Sequence, residues 1–419
     1  FKMNIKIAIV LIFISSLTAF AQGGSNYSII GIGDIANFHT AAQAGVAGTQ
    51  IGMPSSHAIN TKNPALWSQI THTRLQLGYR FNQHVVSESD QDLWQNNGGI
   101  DGIMAAFAVD TAMGITGSLG FMPYTTVRYL IAQPLTVSVD GLTIDGLNSF
   151  QGSGGITTAY AGGSYSPFDG QSVGAMIFAN LGKIKTTYTS ILYDGYSTDT
   201  KTEDEDSFRG IGFKFGYAGE LFENFTLGSY YEKNLNMSVQ RVRMYDPHIS
   251  PQPTPDSLDL DYVFPDAFGF GVSYLTGKFL IGADITIQDF SNFDYNRADA
   301  PAVDTIPMLY NYKDMMQFSF GLKRIGNKSR SADFWDKITY SFGAGYRSLY
   351  YDVKDMAVNE WYGSLGMEVP VIGTTIIDVA LVGGQRGSLN NGLIKEAFFT
   401  FMVDVSIGET WFVPFKRDF

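Results

Sequence analysis

The chain has 419 residues, enough for two or three ordinary domains or one large architecture. Only 16% are charged while 45% are hydrophobic, 14% aromatic and 46 are glycine, a balance too apolar for disorder. The 40 acidic and 28 basic residues give a formal charge of -12, which speaks against a nucleic-acid partner, and the lack of cysteine excludes disulfides, thiolate metal sites and cysteine nucleophiles.

Residues 1–21 read as a secretory signal peptide. Lys2 and Lys6 form a positive start, Ile7 to Ile14 is an unbroken apolar run, and Ala19-Phe20-Ala21 offers a small-x-small cleavage site before Gln22. The run is short of the ~20 apolar residues a spanning helix needs. Residues 22–71 carry no strand alternation. Their Ile, Val, Ala and Gly content with few charges suits a packed plug, the alternative being a periplasmic tail or linker.

From residue 72 onward the sequence falls into segments in which every second residue is apolar. Leu75, Leu77, Tyr79 and Phe81 alternate with Gln76, Gly78 and Arg80; Ile211, Phe213 and Phe215 alternate with Gly212 and Lys214. The same period runs through Phe279–Gln288, Met316–Lys323, Ile338–Arg347 and Phe399–Ile407. Period two means extended strands with one apolar and one polar face. Fourteen strands are expected, at about 72–83, 102–109, 112–129, 156–166, 171–189, 207–219, 224–243, 266–276, 278–290, 314–325, 337–351, 357–369, 374–385 and 396–408. Long polar links (Val85–Asp101, Leu130–Gly155, Ser190–Asp206, Met244–Pro265, Ser291–Lys313) alternate with short ones such as Pro370–Gly373.

No later stretch is a membrane helix: the best, Val369 to Gly384, is broken by Pro370, Gly373 and Asp378. A soluble sandwich shares the period. However, a polar face of glycine and serine with isolated charges, a persistently aromatic apolar face and alternating link lengths favour an outer-membrane barrel. The expected fold is all-β: a 14-stranded antiparallel transmembrane barrel over 72–419, closed by an N-terminal plug over 22–71, because so wide a lumen must be filled or it conducts.

The segment Tyr27-Ser28-Ile29-Ile30-Gly31-Ile32-Gly33-Asp34, then Ala44-Gly45-Val46-Ala47-Gly48-Thr49, then Asn63-Pro64-Ala65, resembles the N-terminal hatch of FadL-family outer-membrane proteins, in the divergent branch of Bacteroidetes-type bacteria. The resemblance covers the mature chain in architecture and these short motifs in sequence. It implies a bacterial outer-membrane transporter of hydrophobic compounds such as long-chain fatty acids, whose ligand leaves through a lateral opening at a kinked strand. Asn63, Pro64 and Ala65 match the hatch motif. Gly120 and Pro123, in the third strand, could mark the kink, since proline cannot donate to a ladder; alternatively Pro123 lies above the membrane. A second implied role is as an accessory barrel of a larger outer-membrane machine such as the type IX secretion system. The partners implied are membrane lipid and a hydrophobic small molecule or, on the second reading, another outer-membrane protein.

Arg80, Lys214, Asp284, Lys323, Arg347, Asp378 and Asp404 fall on the lumen phase. They either pair to lock the plug or leave a cation to hold a carboxylate. The apolar clusters of Leu130–Phe150 and Ala302–Tyr312 read as ligand-capture loops or as loop cores. Glu203-Asp204-Glu205-Asp206 reads as a solvated acidic loop rather than a calcium site, lacking spaced ligands and a turn glycine. No catalytic motif is present, so neither an enzyme nor a cofactor is expected.

Overall fold

A residue-by-residue alternation of apolar and polar side chains leaves the backbone one economical solution, the extended ladder, and most of the described residues from Thr73 onward adopt it. The computed structural model describes residues 23–88, 91–139, 142–193, 200–245, 256–296, 310–329, 331–389 and 393–412; the expected signal peptide lies outside them. A first short strand, β1 (Asp34–Ile35), belongs to the N-terminal segment. The wall begins with β2 (Thr73–Glu88), β3 (Gln91–Asp110), β4 (Ile115–Pro123) and β5 (Thr125–Val139). It continues with β6 (Leu142–Phe168), β7 (Gln171–Leu192), β8 (Thr200–Phe222), β9 (Phe225–Asn234) and β10 (Met237–Tyr245). Next come β11 (Asp256–Tyr262), β12 (Ala267–Thr276), β13 (Phe279–Gln288), β14 (Tyr310–Tyr312) and β15 (Met315–Arg324). The last four are β16 (Thr339–Val353), β17 (Met356–Pro370), β18 (Ile376–Gly387) and β19 (Lys395–Glu409).

All pairings are antiparallel, and β19 returns to β2 with Phe401 opposite Phe81, so the sheet closes. The ring has fourteen staves, because β4 with β5, β9 with β10, β11 with β12 and β14 with β15 are interrupted single strands. Closure pairs the wall's backbone groups, which is what a span through hydrocarbon requires. The outward face is apolar: Leu75 is 54% exposed, Ile177 62%, Phe215 54% and Leu365 58%. A soluble surface rarely shows so large a continuous apolar area, and around a closed barrel it makes a lipid-facing band. Among the described residues no helix is long and apolar enough to cross a membrane.

Several links expected to be loops are ladder. Residues 85–88 and 91–101 extend the β2–β3 hairpin, and Leu130–Val139 pairs with 142–151 of β6. The polar composition of 85–88 and 91–101 is that of strands standing clear of the membrane, where neither face meets lipid, while Leu130–Val139 is apolar and reads as a link only by its place between strands. The acidic run is corrected with them, since Glu203–Asp206 lies within β8. Lys185 and Lys201 reach Glu203 at 2.8 and 2.7 Å, Arg243 reaches Asp204 at 2.7 Å, Lys183 reaches Glu205 at 2.6 Å and Arg241 reaches Asp206 at 2.7 Å. Arg241 and Arg243 stand directly across the ladder from Asp206 and Asp204, Lys183 and Lys185 reach diagonally from β7, and Lys201 lies two residues away on β8, so the carboxylates are held in a strand. Hydrogen bonding to Asp204 raises Arg243 above its ordinary pKa, and hydrogen bonds from Lys185 and Lys201 lower Glu203.

Residues 23–72 run through the inside of the ring. They form a 3-10 turn at Asn26–Ile29, a helical turn at Ala41–Ala44 and a second 3-10 turn at Pro64–Gln69. The inward glycines make room for them. A Cβ on Gly228 would stand 1.9 Å from the Ile51 carbonyl oxygen, and one on Gly216 2.1 Å from Asn63 Oδ1.

Candidate functional site

Asn63, Pro64 and Ala65 start the second 3-10 turn for reasons the residues themselves supply. Asn63 is the N-cap, its Oδ1 accepting from Ala65 N at 3.1 Å, and proline takes the first helical position, where no donor is needed. The Asn63 amide also donates to the carbonyls of Ile51 at 2.8 Å and Tyr217 at 2.9 Å, joining two stretches of the interior segment to the wall. Trp67 donates to the Asn60 carbonyl at 2.7 Å and stacks on Tyr160. Asn63, Ala65 and Trp67 are fully buried.

The lumen charges meet this segment. Asp284 accepts from Gln50 N and Ile51 N at 2.6 and 2.8 Å, and Asp404 from Ala41 N at 3.0 Å. Lys214 donates to the Thr61 carbonyl at 3.2 Å and pairs with Glu232 at 2.8 Å. Arg80 donates to the Phe38 carbonyl and pairs with Asp101 at 2.7 Å. Arg347 donates to the Ile35 carbonyl at 2.9 Å and pairs with Glu360 at 3.1 Å. Asp378 meets His57 at 3.3 Å, while Lys323 pairs with Glu368 at 2.6 Å rather than touching the segment. Opposite charges and backbone donors offset part of the desolvation of these buried ions, leaving one oxygen each of Asp101, Asp284, Asp378 and Asp404 buried with no hydrogen-bond partner.

Above these contacts, Tyr27, Ile30 and Ile32 of the segment pack with Tyr129, Phe150, Phe264, Phe290, Phe293, Tyr295, Tyr350 and Tyr351 across the outer mouth. The Tyr350 hydroxyl lies 2.9 and 2.7 Å from the carbonyls of Ile30 and Gly33, which share its one proton.

The wall is interrupted on one side. β4 ends at Pro123, and above it β5 pairs with β6 and with β1, through Asp34 opposite Thr126 and Ile35 opposite Thr125. The β3–β4 ladder stops at Ile103 opposite Phe121, so the upper half of β3 pairs only with β2. Between β3 and β5, among the described residues, lies a gap. Gly154 and Gly155, across from the break on β6, take φ of +105° and +144°, which other residues rarely adopt. Gly120 itself keeps regular pairing with Met104 and Tyr160; the interruption falls at Pro123 and Tyr124.

A cavity of about 560 Å³ adjoins this gap, lined by Gly99, Ile100, Pro123, Thr126, Arg128 and Arg386 among others. Arg128 has no ion pair among the described residues. A second cavity of about 630 Å³ opens elsewhere around His57, Lys323 and Glu368, and the two share no lining residue.

Sequence reasoning missed Glu360, Glu368 and Arg386. Their signal was the polar phase of β17 and β18, where Glu360 and Glu368 alternate with Trp361, Leu365 and Met367. It also missed Asp101 and His84, which lie beyond the strand ends it drew.

The fold is shared with solved outer-membrane channels. A Pseudomonas aeruginosa FadL homologue aligns at a TM-score of 0.60 and 12% identity, over 90% of this chain and 99% of that one. The Pseudomonas putida toluene transporter TodX aligns at 0.57 and 14%, over 89% and 99%, and the monoaromatic hydrocarbon channel CymD at 0.55 and 12%, over 93% and 100%. At such identities the likeness is one of fold: this is a FadL-type barrel. No curated protein matches the sequence. The BamG family model matches residues 3–418, nearly the whole length, and the chain therefore belongs to the BamG family.

Proposed function

We propose that the chain is a bacterial outer-membrane barrel that passes hydrophobic compounds, fatty-acid-like amphiphiles in particular, sideways into the bilayer, with residues 22–71 as its plug. The observation that carries this reading is the gap between β3 and β5 opening onto the 560 Å³ cavity. An apolar tail avoids water by leaving through the wall rather than along a wet axis. Arg128, without an ion pair among the described residues, is placed to meet a carboxylate, while Ile100, 63% exposed, borders the tail's exit. The charged lining suits an amphiphile better than a bare hydrocarbon. Because β1 covers the inner edge of β5 at the break, movement of the plug and access to the gap are mechanically joined.

Gly99 provides the test. A Cβ there meets nothing within 4 Å, so a side chain can start at this position without a clash, and Gly99→Trp is expected to fill the route. Uptake of a labelled long-chain fatty acid by cells carrying this variant is expected to fall to the level of cells lacking the protein. Uptake unchanged with Gly99→Trp present at normal amounts in the membrane would remove the lateral route.

A second reading, an accessory barrel of a larger outer-membrane assembly such as the type IX secretion system, is favoured by one observation: the aromatic packing across the outer mouth. Stoichiometric co-purification with a large partner, together with normal fatty-acid uptake in its absence, would select it.

A further inference from the structure

Three acidic residues stand side by side on the inner wall toward the periplasmic end. Glu368 of β17 is directly opposite Asp378 of β18, and Asp378 is directly opposite Asp404 of β19. Asp378 and Asp404 are fully buried, and the Glu368 side chain is 12% exposed. Like charges facing one another across a ladder repel, and burial strengthens the repulsion. Such a row needs cations or donors.

Asp404 has donors, from Ala41 N and from Gln76 at 2.9 Å. Lys323 covers Oε1 of Glu368. Arg74 lies within electrostatic range of Asp378, but its Nη1 is bound to the Thr374 carbonyl at 2.6 Å. What remains is a constellation with its own chemistry. His57 Nε2, from the interior segment, is 3.3 Å from Asp378 Oδ1 and 3.8 Å from Glu368 Oε2, and one ligand atom from each residue lies within 4.8 Å of the others. Asp378 Oδ2 is buried with no hydrogen-bond partner.

We propose that His57, Glu368 and Asp378 bind a transition-metal dication, zinc being the first candidate, which clasps the interior segment to the wall. One imidazole with two carboxylates is a donor set for zinc and its neighbours rather than for calcium or magnesium. Bonds of about 2.0–2.1 Å place tetrahedral ligand atoms about 3.3 Å apart, so His57 and Asp378 already have the spacing, and Glu368, within 4.8 Å of Asp378, closes on His57 by roughly half an ångström. The 630 Å³ cavity is lined by His57 and Glu368, providing a path of entry and water for a fourth position. The dication neutralises the facing carboxylates that Lys323 alone leaves in excess. The site does not depend on what the barrel conducts.

The test uses the full chain in detergent, stripped with a chelator and titrated with zinc alone, then with cobalt as an optical probe. Wild type is expected to retain about one zinc per chain by elemental analysis and to give a cobalt absorption spectrum of nitrogen and oxygen ligands. His57→Gln, which keeps a polar contact for Asp378, is expected to lose both while the barrel still shows its heat-modifiable mobility. Should that variant fail to fold, Glu368→Gln takes its place, because Lys323 remains to bond the amide oxygen. Zinc retained equally by wild type and variant overturns the site. So does no zinc in wild type with a protonated His57 held by Asp378, an ion pair only.

Discussion

A chain lacking residues 23–66 is expected to conduct ions across a planar bilayer in steady open steps that the full chain does not show. The wall does not need the segment to close: β19 pairs with β2, and neighbouring staves share a ladder all round the ring, broken among the described residues between β3 and β5 and, where β13 has ended, between β11 and β14. The segment instead fills the lumen, where its Ile59, Trp67, Ala44, Val46, Ile51 and Ala65 supply the apolar clusters beneath the mouth. Fourteen staves lie between the eight that side chains can fill and the 16–18 of an aqueous porin, so an emptied interior takes up water. Charges such as Asp284 and Lys214, now hydrated, cease to need protein partners, and the barrel survives the loss. A milder variant reads the same quantity: Gly228→Phe drives a side chain into the place of the Ile51 carbonyl and should produce flickering conductance. A folded, inserted deletion variant with no conductance would show that the wall closes the pore without residues 23–66.

The strand count was legible because lipid imposes a strict alternation that solvent does not. Where the outer face meets hydrocarbon, as at Ile211, Phe213 and Phe215, the period is unmistakable. It vanishes in Glu203–Asp206, a stretch held by cross-strand ion pairs instead, and is broken in Leu130–Val139 by Gln133 and Pro134 before Leu135, Val137 and Val139 resume it. Such contacts lie between residues distant in sequence, as Arg243 and Asp204 are, and no local pattern announces them. For the same reason β3 was drawn to start eleven residues late and Asp101 was left in a loop.

The interior was half legible. Phase alone put Arg80, Lys214, Asp284, Arg347, Asp378 and Asp404 on the inner face, yet phase says nothing about partners. Those depend on how a segment of fifty-odd residues folds against the wall, where backbone donors at Ala41, Gln50 and Ile51 serve as counter-charges. The Asn63-Pro64-Ala65 motif is a local exception: a side-chain cap followed by proline at the first position specifies its own turn. The gap was legible only as a proline. That it falls at Pro123 and not at Gly120 follows from the β6 glycines opposite, Gly154 and Gly155, which bend the neighbouring stave.

Arg386→Met is expected to loosen the outer end of the interior segment more than any other single substitution of a charged side chain. Arg386 lies in β18 with its side chain 6% exposed and binds four groups at once. Its Nη1 donates to Asp34 at 2.6 Å and to Ser25 at 3.0 Å, and its Nε and Nη2 donate to Glu360 at 3.0 and 2.7 Å, while the guanidinium lies over Phe398. Glu360 keeps Arg347 and Ser25 keeps its hydrogen bond to Glu396 at 3.0 Å, but the Asp34 carboxylate loses its cation on the wall. Removing one partner of a buried pair costs about 3–5 kcal/mol, and methionine restores packing without restoring charge. The barrel ladder does not contain that contact, so the loss falls on the segment rather than on the wall. Asp34 sits in β1, the strand that covers the edge of β5 at the break. Protease cleavage near residues 30–36 should therefore rise in Arg386→Met while heat-modifiable mobility stays unchanged. Asp34→Asn in the same chain should recover part of the protection, since it removes the stranded charge, and the two effects should be non-additive. Equal protection in wild type and Arg386→Met would mean that the aromatic cluster around Tyr27 and Tyr350 holds the segment alone, with the ion pairs contributing little.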